Sequence, residues 1–276
     1  MNLIVQGRSV AQRHLETLAR MTGATGVARI GPVAFRLADA HEREGVAAYC
    51  EGAQLDYGFV APQARLADFR LVAFDMDSTV ITIECVDELG ELAGVKDEVA
   101  AITAAAMRGD IEYKESLRRR VALLAGLPES ALERVYVERL RLTAGMEALM
   151  ARLQGLDTRT MLVSGGFTYF TDRLQARLGF DQTASNVLEI VDGRLTGRLV
   201  GAVLDADGKA AALRAARDAL GLAPAQVLAI GDGANDLVMM AEAGVSVAYR
   251  AKPLVREKAT FCLNYVGLDG VLALFP

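Results

Sequence analysis

Two aspartates, Asp75 and Asp77, stand one residue apart at the end of the apolar run Leu71-Val72-Ala73-Phe74. A short continuous apolar run of this kind suits a parallel strand covered on both faces by helices. Ligands of such sheets bind just beyond the carboxyl ends of the strands, where these two acids would fall. Side by side and partly desolvated, two carboxylates repel each other unless a cation neutralises them. Mg²⁺ suits that task, because it takes one or two carboxylates together with waters and a substrate phosphate. For the tripeptide alone, a solvated Asp-x-Asp turn is the plainer alternative.

Three further groups join the acids. Ser164-Gly165-Gly166 follows a second apolar run, Thr160 to Val163; Lys209 sits at the start of a helical stretch; Gly231-Asp232-Gly233-Ala234-Asn235-Asp236 follows a third run, Gln226 to Ile230. Together they suit phosphoryl transfer, where catalysis is mostly positioning and charge neutralisation. One carboxylate can act as nucleophile and its neighbour as general acid and base. A hydroxyl and a backbone N–H in a Gly-rich turn can hold phosphoryl oxygens, a lysine can neutralise charge, and a further acid can complete a metal site. Taken singly, each has a simpler reading. Ser164, Asn235 and Asp236 could only cap helices, and Lys209 could be a surface residue. Glu84 could be a solvated acid in a first helical turn, and Arg120 belongs to an Arg118–Arg120 run of the kind found on solvated helix faces.

Positioning these residues requires alternating strands and helices. The pattern predicts helices over Gly145–Leu153, Phe170–Leu178 and Ala210–Leu220, a hairpin around Asp192-Gly193 within 187–199, and further strands at Val245–Ala248 and Phe261–Leu263. Between the Asp75 strand and about Arg141 only helices are predicted, at Glu84–Ala93, Val99–Met107, Tyr113–Leu124 and Glu129–Leu140. A strand-free insertion there reads as a cap that closes over the strand ends. Ahead of the catalytic motifs, residues 1–66 alternate as βαββαβ, the order of a ferredoxin-like α+β sandwich shared by ACT-type domains, and Pro62 opens a polar linker. No polar constellation marks a ligand pocket in this unit, which leaves a degenerate structural domain and an amino-acid effector sensor both open.

Composition narrows the classes. The 276 residues are 52% hydrophobic and 24% charged, which reads as globular, and a net charge of −5 carries no basic footprint for nucleic acid. No apolar stretch reaches the ~20 residues that span a bilayer, and the N-terminus lacks signal-peptide order. Cys50, Cys85 and Cys262 have no metal-ligand spacing and read as reduced thiols, so the expected compartment is the cytoplasm. His14 and His41 both precede the Asp75 strand, which argues against a histidine-based triad.

In order along the chain, Asp75-Met76-Asp77-Ser78-Thr79-Val80, Ser164-Gly165-Gly166, Lys209 and Gly231 to Asp236 resemble the four motifs of the haloacid dehalogenase (HAD) superfamily. Glu84 and the segment from Met107 through Tyr113, Ser116, Leu117 and Arg120 resemble the helical cap of its phosphoserine phosphatase branch. The resemblance spans roughly 70–270. It implies a Rossmann-like α/β core over 70–276 with a helical cap at about 80–141, Mg²⁺ as cofactor, and hydrolysis of O-phospho-L-serine to L-serine through an aspartyl-phosphate, the final step of serine synthesis. It further implies Asp75 as nucleophile and Asp77 as general acid/base. Asp75, the Asp77 carbonyl and Asp232 would hold the metal, with Asp236 in support. Ser164, Gly165 and Lys209 would hold the phosphoryl group, with Asn235 beside it. Glu84 would meet the substrate ammonium and Arg120 its carboxylate. A phosphotransferase to another alcohol would use the same residues, and a vestigial amino-acid-binding protein is the rival of another class. That branch often carries phenylalanine where Tyr113 stands, so this chain adds a hydroxyl to the cap pocket. The N-terminal residues match no catalytic motif and resemble the degenerate ACT-like unit fused to some bacterial members.

Overall fold

The computed structural model describes residues 1–276. Its first unit runs β1 (Asn2–Gly7), α1 (Gln12–Thr22), β2 (Gly26–Gly31), β3 (Ala34–Ala38), α2 (Val46–Gly52) and β4 (Leu55–Val60). The strands form a four-stranded antiparallel sheet in the order β2-β3-β1-β4, matching the βαββαβ reading. Alternation sets its two faces. Leu3, Val5 and Leu55 pack under the two helices, whereas Ile4 and Val60 belong to the core of the second unit. The seam is polar as well as apolar. Asp56, buried on β4, accepts the backbone N–H groups of Asn264, Tyr265 and Val266 at 2.6, 2.9 and 3.1 Å, and buried Gln6 donates to the Gly270 carbonyl at 3.1 Å.

The second unit is built on β5 (Leu71–Phe74), β6 (Arg159–Phe167), β7 (Gln182–Val191), β8 (Arg194–Val200), β9 (Val227–Gly231), β10 (Val245–Tyr249) and β11 (Phe261–Leu263). They form one mixed sheet, β11-β10-β9-β5-β6-β7-β8, parallel throughout except for β7 with β8. β5 lies in the middle, so both its faces are covered. Val72 and Phe74 enter one hydrophobic core and Leu71 and Ala73 the other. Helices α7 (Met146–Gln154), α8 (Thr168–Leu178), α9 (Ala206–Ala219), α10 (Leu237–Ala241), α11 (Pro253–Lys258) and α12 (Gly270–Leu274) complete the α/β layers. No helix is long and apolar enough to cross a membrane.

Between β5 and α7 come only helices: α3 (Cys85–Leu92), α4 (Lys96–Met107), α5 (Tyr113–Ala122) and α6 (Ser130–Arg134). The stretch read as one helix over Glu129–Leu140 instead breaks into α6 and a wider turn at Val135–Arg139, closed by Leu140 N–H on the Val135 carbonyl. The β7–β8 hairpin supports this insertion. Gly126 N–H donates to the Leu195 carbonyl at 2.8 Å, Glu129 N–H to that of Gly193 at 2.9 Å, and the Arg194 guanidinium to that of Gly126 at 2.7 Å. β6 also runs further than expected. It continues through Ser164-Gly165-Gly166 to Phe167, because Phe167 pairs with Asn186 after a bulge.

Candidate active site

β5 delivers Asp75 to the carboxyl edge of the sheet, where its N–H still pairs with the Ile230 carbonyl on β9 at 2.9 Å. The chain then turns sharply. Ile81 N–H closes a wide turn on the Met76 carbonyl, and Ser78 is held at φ 59°, a left-handed conformation that costs a non-glycine residue about 1–3 kcal/mol. That turn aims Asp77 into the same space as Asp75 and lets Ser78 Oγ donate to Glu84 Oε1 at 2.7 Å.

A cavity of about 610 Å³ opens between the strand ends and the helical insertion. Asp75, Asp77, Glu84, Arg120, Ser164, Gly165, Asp232 and Asn235 all line it. Lys209 lies behind its floor, 1% exposed, donating to Asp75 and, at 2.8 Å, to Asp236 Oδ1. All the residues singled out from the sequence therefore gather at one place.

The floor is electrostatically unbalanced. Carboxylate oxygens of Asp75, Asp232 and Asp236 lie within 4.8 Å of one another around a single ammonium. Burial opposes the charge on Lys209, but the adjacent Asp236 and Asp75 carboxylates outweigh it and hold the lysine protonated. Burial and then the Asp236 charge push Asp75 well above the usual carboxylate range. The same causes raise Asp232 to about 7. Asp77 is raised by burial and then by Glu84, and its Oδ1 is buried with no hydrogen-bond partner. Such an excess of hard oxygen donors over positive charge fits a divalent cation. Asp236 is otherwise engaged: Oδ1 takes Lys209, and Oδ2 takes the N–H groups of Asp232 and Gly233 at 3.2 and 3.0 Å. Asp232 is steadied by the Thr79 hydroxyl at 3.3 Å.

On the β6 side, Ser164 Oγ accepts the Gly166 N–H at 2.8 Å, which leaves the hydroxyl proton to donate elsewhere. Asn186 Nδ2 donates to the Gly165 carbonyl at 2.8 Å, and its Oδ1 accepts Leu204 N–H ahead of α9. Asn186 thereby ties the Ser-Gly-Gly turn to the segment that carries Lys209. No local signal points to this role, since nothing in a hairpin strand marks a partner 21 residues away.

The roof is chemically different. Arg120 is 9% exposed, and its Nε has no partner. Ser116 Oγ and Asp87 Oδ1 are likewise buried and unpaired, and both line the cavity. The one sequence signal for Asp87 is its spacing, three residues after Glu84 on the same helical face. Glu84 opens to solvent at the cavity mouth yet has protein on most sides. Burial raises its carboxyl, and the Ser78 hydrogen bond opposes that rise. Unpaired buried polar groups are costly, so a roof that keeps several of them points to a polar ligand.

Residues 72–241 match the haloacid dehalogenase-like hydrolase family, and residues 3–46 match a domain of unknown function. The chain belongs to the haloacid dehalogenase-like hydrolases. Among its relatives, a phosphoserine phosphatase of Polaromonas sp. is 55% identical over 218 residues, covering 77% of this chain and 92% of that protein. One from Vibrio cholerae is 44% identical over 221 residues, covering 80% of this chain and 67% of that protein. The unliganded crystal structure of a probable phosphoserine phosphatase from Vibrio cholerae superposes with a TM-score of 0.86 at 37% identity, over 99% of this chain and 85% of that one. A substrate-bound phosphoserine phosphatase complex superposes with a TM-score of 0.71 at 36% identity, over 75% of this chain and 99% of that one.

Proposed function

We infer that this chain hydrolyses O-phospho-L-serine to L-serine and phosphate through an aspartyl-phosphate, the last step of serine synthesis. The observation that carries the substrate is Arg120: a buried guanidinium with an unpartnered Nε and no carboxylate within ion-pair distance, in the same cavity as the Asp75–Asp77 pair. Burying an unpaired charge destabilises the free protein, and a ligand carboxylate meeting it in planar, two-pronged fashion removes that penalty. Glu84 at the cavity mouth meets the ammonium. A phosphate ester lacking either group leaves a charge unpaired, which is the source of selectivity.

Asp75 attacks phosphorus, and Asp77, whose carboxyl burial and then Glu84 raise, passes a proton to the departing serine oxygen. The Asp77 carboxylate then takes a proton from the water that cleaves the acyl phosphate. Ser164 donates its hydroxyl proton to a phosphoryl oxygen, the Gly165 N–H and Lys209 share the remaining charge, and Asn235 flanks them. Asp75, the main-chain carbonyl of Asp77 and Asp232 would hold Mg²⁺, with Asp236 supporting from behind because both its oxygens are already engaged. When bound, the cation supplies charge neutralisation for the phosphoryl group.

Residues 1–66 belong, on this reading, to a degenerate ACT-like unit that braces the HAD unit of residues 70–276, and α3–α6 serve as its cap, at about 80–141. The buried Asp56 seam supports a structural rather than a sensing role. Three unpaired cysteines agree with a reducing cytoplasm.

The test is phosphate release with Mg²⁺ from O-phospho-L-serine, phosphoethanolamine and phospholactate, for wild type and Asp75→Asn. Preference for phosphoserine that vanishes in Asp75→Asn supports the reading. Equal turnover of all three esters discards the substrate, and no turnover of any discards the enzyme.

A further inference from the structure

Nothing in the mechanism above uses Tyr113, although its side chain enters the active-site cavity from the first turn of α5. Its hydroxyl oxygen rests against Gly165. A side-chain carbon built on that glycine would overlap the oxygen and lie 3.2 Å from the ring carbon that bears it. The phenol is held there from both sides. Lys114 pairs with Asp205 at 2.9 Å, which fastens the start of α5 to the start of α9, and Asn186 fixes the Gly165 carbonyl. No protein group hydrogen-bonds the Tyr113 hydroxyl, while Asn186 holds the Gly165 carbonyl beside it in place.

A packing role needs only the ring. A half-buried hydroxyl that opens into the cavity, with no protein partner of its own, is free to donate to a ligand there. Its place selects which part of the ligand. Gly165 directly follows Ser164, the residue assigned above to the phosphoryl group, and the phenol oxygen lies against that glycine in the cavity both line. Burial pushes the phenol up to about 12, so it keeps its proton through the neutral range.

We propose that the Tyr113 hydroxyl donates a hydrogen bond to an oxygen of the phosphoryl group being transferred, beside Ser164, Gly165 and Lys209. This rests on the phosphatase reading given above. It makes Tyr113 a catalytic residue that touches substrate, in contrast to Asn186, which acts only by positioning.

The full-length chain and Tyr113→Phe separate the alternatives, because the substitution keeps the ring and removes one oxygen. O-phospho-L-serine, p-nitrophenyl phosphate and inorganic phosphate as inhibitor are the three probes, with the thermal midpoint as a check on folding. A hydrogen bond to a charged oxygen is worth about a tenfold to hundredfold effect. The expected result is a loss of kcat/KM of that size for both esters, a matching rise in the inhibition constant of phosphate, and an unchanged thermal midpoint. Loss confined to phosphoserine, with phosphate inhibition intact, would place the hydroxyl at the amino-acid end and overturn the proposal. Wild-type behaviour with all three probes would overturn it too. If wild type hydrolyses p-nitrophenyl phosphate but not phosphoserine, the substrate reading fails, while p-nitrophenyl phosphate and phosphate still decide the role of the hydroxyl.

Discussion

Lys209 Nζ donates to Asp236 Oδ1 at 2.8 Å with both side chains out of solvent, and the same ammonium donates to Asp75. One lysine thus links the carboxylate expected to attack to the carboxylate that orders the loop after β9. Replacing it by methionine leaves two buried carboxylates without their counter-charge. Breaking a buried pair in this way costs about 3–5 kcal/mol. Urea unfolding of Lys209→Met should show that loss at neutral pH and recover part of it in mild acid, where the carboxylates protonate. A variant as stable as wild type at pH 7 would mean the ammonium is not essential to the floor.

Arg120 should behave in the opposite sense. No carboxylate lies within ion-pair distance of its buried guanidinium, although its charge favours the ionised Asp87 carboxyl, so Arg120→Met trades a desolvation cost against a weak attraction and stability should nearly hold. Activity should suffer, since a desolvated charge pair with the substrate carboxylate is worth about 2–5 kcal/mol, or 30-fold and more in kcat/KM for phosphoserine. p-Nitrophenyl phosphate, which has no carboxylate, should be turned over as before. Equal losses on both substrates would show that Arg120 serves the cap rather than the substrate.

Much of this site could be read from residue types alone, for a physical reason. Asp75, Ser164 and Asp232 each follow an apolar run, and parallel strands ending at one edge must bring their following residues together. Lys209 and Arg120 looked like surface residues in isolation, and only their place in the set argued for burial. What the sequence concealed depends on long-range packing. Asn186 finds Gly165 across a bulge, Asp56 caps a loop 208 to 210 residues away, and the β7–β8 hairpin props the helical insertion. The break at Val135–Arg139 is hidden for another reason: its residues keep a helical pattern while the backbone widens by one residue.

The pH dependence of metal binding follows from Asp232. Its carboxyl rises from 3.8 to about 7 in the folded chain, through burial and then Asp236. Between those values the folded state keeps a proton that the unfolded state has released, so stability falls as pH rises across that window and levels off above it. A cation must displace the same proton, so its affinity grows over the same range. Mg²⁺ should therefore raise the thermal midpoint by several degrees near pH 8 and hardly at all near pH 5. Equal shifts at both would show that the cation does not contact this carboxylate.

The Asp56 seam makes the two sheets cooperate. Asp56→Ala leaves the N–H groups of Asn264, Tyr265 and Val266 without their acceptor, at about 1–3 kcal/mol for each one that water cannot reach. Denaturant unfolding should show a lower midpoint for the whole chain, in one transition if the seam couples the units. Two separated transitions in wild type would mean that the N-terminal sheet folds on its own and the seam adds little.

Gly165 is required for space rather than for backbone freedom, since what a methyl group would meet there is the Tyr113 hydroxyl. Gly165→Ala must displace the Tyr113 phenol, by turning its side chain, moving α5 or shifting the strand end, at an overpacking cost of up to about 1–3 kcal/mol. Tyr113→Phe removes the oxygen but leaves the ring carbon 3.2 Å from the new methyl, a contact that a small shift relieves. The double variant should therefore recover most of the stability that Gly165→Ala loses, although its activity stays low because Tyr113→Phe sacrifices a phosphoryl contact. Thermal midpoints of wild type, both single variants and the double variant measure this coupling directly. Additive losses would mean that the alanine clashes with backbone elsewhere, and that the phenol does not lie over Gly165 in solution.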